Sequence, residues 1–155
     1  MHIAPKFRPA LDPDFAPASL WNRAFRQAAG ANARPFAMSL ERSGGSVSVF
    51  RTVLTAHDSA RNRRFAERLL KYLLWQKGGY RVTVAGDDDL AAHLRGVYSP
   101  SGGRAFDYDF MGERVYGSPM EILATSYDRA PEEKETAAPL GRHLDGCRIG
   151  FDLGA

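Results

Sequence analysis

A chain of 155 residues, 44% of them apolar, holds enough material for one domain with a true core and too little for two full domains. No apolar run approaches the ~20 residues of a membrane span, so no membrane partner is expected. The net charge of +3 neither demands nor excludes nucleic acid. The single cysteine, Cys147, makes no internal disulfide, and His2, His57, His93 and His143 show no metal-ligand spacing with it.

Residues 1–18 carry Pro5, Pro9, Pro13 and Pro17 at four-residue spacing, which blocks regular helix and predicts an extended arm. With no apolar h-region, this start is neither a secretory signal nor a transit peptide, and the expected location is the cytoplasm. Ser19 is a candidate N-cap for a short helix with Leu20, Trp21, Ala24, Phe25 and Ala28 on one side and Gly30 as its stop. The alternating runs FAMSLER and SVSVFRTVLT flank Gly44-Gly45 and predict a β-hairpin.

From Asp58 or Ser59 to Lys77, Phe65, Ala66, Leu69, Leu70, Leu73 and Leu74 fall at helical spacing, with cations on the other side. Arg61, Arg63, Arg64 and Arg68 lie on this helix. A solvated outer stripe accounts for them, so nucleic acid is not the expected partner, and contact with phosphates is the alternative. Gly78-Gly79 ends the helix, YRVTVAG reads as a strand, and Asp87 is the expected N-cap of a further helix through Leu94. Asp88 and Asp89 complement that helix's dipole, which explains three consecutive acids without a metal.

In RAFDYDF, the alternation of Phe106, Tyr108 and Phe110 with Asp107 and Asp109 predicts a half-buried strand, its two carboxylates on one face. Such a pair has the chemistry to bridge a divalent ion or exchange protons, although an acidic outer face suffices to explain it. RVYG then returns the chain, and MEILATS supplies another short strand. A polar stretch with two Pro and an acidic cluster follows and reads as a linker over 128–146.

The last nine residues read CRIGFDLGA. Ile149, Phe151 and Leu153 alternate with Arg148, Gly150 and Asp152, the pattern of a strand that delivers Asp152 to its tip. Gly154 turns without a Cβ penalty and lets backbone N–H groups approach a phosphate. This pattern resembles the first phosphate motif of the actin-like ATPase superfamily, an apolar strand ending in Asp-x-Gly. Ala155 stands where sugar kinases commonly carry a second Gly. The segments KYLLWQKGGYRV, GGRAFDYDFMGERVYG and GRHLDGCRIGFDLGA together resemble the N-terminal extension of certain bacterial ROK-family proteins, over most of residues 60 to 155.

The resemblance implies the N-terminal accessory domain of a ROK-like, ATP-dependent sugar kinase or kinase-derived protein, cut at the first phosphate motif. It implies Mg-ATP and a sugar or related small molecule as ligands of the complete protein. Asp152, Gly154 and Gly150 would contact the nucleotide, and Asp152 would hold Mg²⁺ through water. Residues 1–155 alone are expected to carry no catalytic residue and no cofactor, since no nucleophile, base and orienting group share a recognisable spacing. The expected organisation is an arm over 1–18, an α+β accessory domain over 19–127, the linker over 128–146 and an orphan first strand of an actin-like ATPase domain over 147–155. Within 19–127, the fold class is a hairpin and further short strands in a mixed sheet packed on one long and one or two shorter helices. A freestanding module binding nucleic acid or an acidic partner through the Arg-bearing helix is the alternative.

Overall fold

The computed structural model describes residues 3, 5–13 and 15–135. The fold is α+β, a four-stranded mixed sheet in the order β2-β1-β3-β4 with helices against one face. In chain order the elements are α1 (Ala18–Ala29), β1 (Arg34–Glu41), β2 (Val47–Leu54), α2 (Ser59–Lys77), β3 (Arg81–Ala85), α3 (Asp88–Val97), the short α4 (Ala105–Asp109) running into a π-helical stretch over Phe110–Arg114, and β4 (Glu121–Thr125).

The hairpin forms as its alternation requires. β1 and β2 pair antiparallel from Arg34 opposite Leu54 to Glu41 opposite Val47. Gly44 and Gly45 take φ values of 80° and 78° in the connection, a region glycine enters freely and β-branched residues avoid. β3 joins β1 antiparallel, and β4 joins β3 in parallel after the α3 crossover.

Period-2 alternation sends Phe36, Met38 and Leu40 of β1 and Val82 and Val84 of β3 to the helix side, where all five are fully buried. They meet Leu70, Leu74 and Leu94, one apolar stripe from each of α2 and α3. Each such side chain contributes about 1.5–3 kcal/mol on leaving water. α1 is sewn to α2 by stacked rings, with Phe25 and Phe65 centroids 4.4 Å apart and Trp21 beside them. The helix begins one residue before Ser19, with Pro17 at the N-cap position and no side-chain cap, and it ends at Gly30 as its sequence foretells.

On the other face of the sheet Ala37, Ala85 and Ala130 pack together under Tyr127, and Arg81 pairs with Glu41 and Glu121. Of the stretch expected as a linker over 128–146, residues 128–135 are described, and they run back along the hairpin. Lys134 exchanges backbone hydrogen bonds of 2.7 and 2.9 Å with Val47, Glu132 pairs with Arg51, and Glu135 pairs with Arg42. In the arm, the described residues before Ala18 form no helix or strand, Ala18 opens α1, and Ile3 packs against the core.

One element departs from expectation. RAFDYDF is helical, not a strand, and no strand forms between Arg104 and Ser118. Five residues satisfy a period of 2 and a period of 3.6 about equally well, and tertiary contact decides. Phe106 and Phe110, four apart, stack on one another at 5.5 Å and on Trp75 of α2 at 6.5 and 5.6 Å, a contact available only to a helix. Among the described residues no helix is long and apolar enough to cross a membrane.

Candidate functional site

Two concavities gather polar side chains. The first lies at the sheet edge where β2, β3 and β4 end and β1 begins, with the N-termini of α2 and α3 above it. It encloses about 710 Å³ among Arg34, His57, Asn62, Arg63, Asp88 and Tyr127, with others around them. Several of the polar groups in and beside it hold the fold. Beside it, Asp58 accepts from the Arg61 N–H at 2.9 Å and caps α2. Asp87 caps α3 by accepting from the Leu90 N–H at 2.9 Å, and its other oxygen receives the Arg34 guanidinium at 2.6 Å. Asn62, 3% exposed, ties α2 to the end of β2 through three hydrogen bonds with Thr55.

The acids at 87–89 therefore act as a cap and dipole partners, with Asp88 and Asp89 exposed in the first turn of α3. Among the described residues, no group of three or more His, Cys, Asp or Glu side chains is placed to hold a metal ion.

Asp107 and Asp109 do not form the expected same-face pair. Two residues apart on a helix, they point away from one another. Asp107 is buried and accepts a 2.8 Å hydrogen bond from the Trp75 indole N–H, with Arg104 at 3.8 Å. Asp109 is exposed and pairs with Arg114 at 2.7 Å. A shared ion or proton between them has no geometric basis.

The arginines of α2 divide as well. Arg61 pairs with Asp58 at 3.0 Å, and Arg64 and Arg68 lie over the Trp21 ring at 5.7 and 5.3 Å. Burial, and secondarily the charge of Arg64, lower the pKa of Arg68 from its usual value.

Between α1 and α2 lies the second concavity, a groove of about 990 Å³ with Phe50, Phe65 and Leu69 among its lining residues. Arg26, Arg68, Lys71 and Arg104 also line it, together with the amides of Asn22 and Gln76 and the rings of Tyr72 and Trp75; among the described residues no carboxylate does. Tyr72 and Trp75 are 56% and 50% exposed. Sequence reasoning passed over this pair, although a signal was present. Both aromatics fall outside the apolar stripe of α2, interleaved with Arg68 and Lys71 on its polar side.

Asp152, Gly154 and Gly150, the expected nucleotide contacts, lie outside the described residues, as does Cys147. Comparison of the chain with protein-family models, with curated proteins and with solved structures finds no match.

Proposed function

We propose that this chain supplies the N-terminal accessory domain of a ROK-like, ATP-dependent sugar kinase or kinase-derived protein, and that the accessory domain is itself non-catalytic. The observation that carries the reading is the apolar alternation at Ile149, Phe151 and Leu153 leading to Asp152 and Gly154, preceded by segments with the same family resemblance. In such a protein Asp152 holds Mg²⁺ through water beside the nucleotide phosphates, and the turn at Gly154 presents backbone N–H groups to them. The engagement of Asp87, Asn62 and Asp107 in holding element ends and the Trp75 ring supports a scaffold role for the domain before them. The test is sugar-dependent ADP release by the protein encoded by the intact reading frame, across a panel of hexoses and amino-hexoses. Turnover with at least one sugar is expected, and none with any sugar removes the kinase reading.

The second reading, a module binding nucleic acid or an acidic partner through the Arg-bearing helix, is favoured by the α2 cations themselves. It predicts salt-dependent binding that weakens when Arg61, Arg63 and Arg64 become Ala. No binding to single- or double-stranded nucleic acid or to polyglutamate at low salt removes it.

A further inference from the structure

We propose that the groove between α1 and α2 binds a nucleoside phosphate, its base against Tyr72 and Trp75 and its phosphate against Arg68 and Lys71. The site uses none of the residues of the Asp152 motif, and the proposal goes beyond the accessory-domain reading without depending on it.

The charge of the groove calls for an anion. Among the described residues, four cations and no carboxylate line it. Among the described residues Arg26 and Lys71 have no ion-pair partner, and the carboxylate nearest Arg104 is 3.8 Å away and already accepts from Trp75. Arg68 sits part-buried beside Arg64 and over Trp21. A cation held among apolar surfaces and other cations gains more from an arriving anion than one already paired.

The rings call for a flat ligand. Trp75 is half exposed, yet it is held in place by a buried carboxylate at 2.8 Å and by stacking on Phe110, with the planes 10° apart. An indole whose single donor is already engaged offers the π surface that Phe106 and Phe110 leave uncovered rather than a hydrogen bond. Fixing that face beforehand removes an ordering cost from binding. Aromatic platforms beside cations bind bases in this manner, and the Asn22 and Gln76 amides have the donor and acceptor pairs that base edges present. The volume, about 990 Å³, lies at the upper end of small-molecule sites.

The 155-residue chain is titrated with AMP, UMP and GMP by calorimetry and by tryptophan fluorescence, with adenosine and inorganic phosphate as separated halves. At least one nucleotide is expected to bind one-to-one below about 1 mM, and each half at least ~10-fold more weakly. Quenching is expected from Trp75, because the other indole, Trp21, is 6% exposed. Binding should persist in EDTA, since cations of the groove, not a metal, are proposed to hold the phosphate. Trp75→Ala should weaken it at least ~10-fold through loss of the stack, and Lys71→Glu by a similar factor through charge reversal. Lys71 is exposed, so Lys71→Glu keeps the fold, which circular dichroism verifies.

The proposal is overturned if no nucleotide binds up to about 5 mM, well above typical small-ligand affinities. It is equally overturned if EDTA abolishes binding or if both variants bind as the parent does. Binding of oligothymidylate or of an acidic amphipathic peptide in the absence of free-nucleotide binding overturns it in favour of that occupant.

Discussion

Replacing Asn62 with Leu removes a three-bond clamp between the first turns of α2 and the end of β2. The amide oxygen of Asn62 accepts from the Thr55 N–H and from the Thr55 hydroxyl, both at 3.0 Å, and its NH₂ donates to the Thr55 carbonyl at 2.9 Å. Leu has a similar volume and no polar atoms, so little cavity is created. The loss comes from stranding the Thr55 backbone N–H and C=O at a residue only 7% exposed. The hydroxyl is less affected, because the Asp58 carbonyl lies 3.4 Å away as an alternative acceptor. Two orphaned backbone groups cost about 1–3 kcal/mol each, partly offset by the apolar side chain, for a net destabilisation of about 2–4 kcal/mol. At about 2–4 °C per kcal/mol for a chain of this size, the melting temperature should fall by roughly 4–16 °C. Urea unfolding followed by circular dichroism gives the free energy directly, and Thr55→Val, which removes only the hydroxyl, should cost about 1 kcal/mol. A loss below about 0.5 kcal/mol for Asn62→Leu would refute the clamp as a stabilising device.

Gly86→Ala should destabilise by about 1–3 kcal/mol in the same assay, because φ is +101° and the added Cβ would stand 2.7 Å from the Pro35 carbonyl oxygen. Trp75→Phe should cost about 1–3 kcal/mol by leaving buried Asp107 without its 2.8 Å donor, and Asp107→Asn, which keeps an acceptor, should cost less; equal losses would contradict the account. Burial raises the Tyr98 pKa well above the ordinary tyrosine value, while its hydroxyl donates to the Glu67 carbonyl. Because the folded-state pKa is the higher one, the stability it represents is complete below about pH 10 and is lost as pH rises beyond that. Ultraviolet titration should therefore show one tyrosine that resists ionisation while the fold survives, and Tyr98→Phe should remove that resistant fraction.

Elements with long or strict periodicity were legible in the residues. Nineteen residues with one apolar stripe have a single helical solution, and the Gly44-Gly45 connection between alternating runs has a single antiparallel one. Asp87 was legible as a cap because a side-chain acceptor three residues before a free N–H is a local arrangement. RAFDYDF was not, since its helical state rests on Trp75, more than thirty positions away in sequence. The same distance hid the groove. Tyr72 and Trp75 stand off the apolar stripe of α2, but only the packing of α1 beside them turns an exposed aromatic pair into a lined concavity. The return of residues 128–135 along the hairpin was hidden for a related reason. Its bonds run through backbone at Lys134 and through ion pairs whose partners lie on β2 and just after β1, and composition alone reads those charges as solvated.

The most direct test of the accessory-domain account is a side-by-side assay of sugar-dependent ADP release by the 155-residue chain, by the protein encoded by the intact reading frame, and by that protein carrying Asp152→Asn. The account predicts no turnover from the 155-residue chain and turnover from the complete protein. Asp152→Asn should lower that turnover by about 10²–10³-fold, the scale of losing a group that stabilises transferring phosphate, with the melting temperature unchanged. Turnover by the 155-residue chain, or a complete protein indifferent to Asp152→Asn, would contradict it.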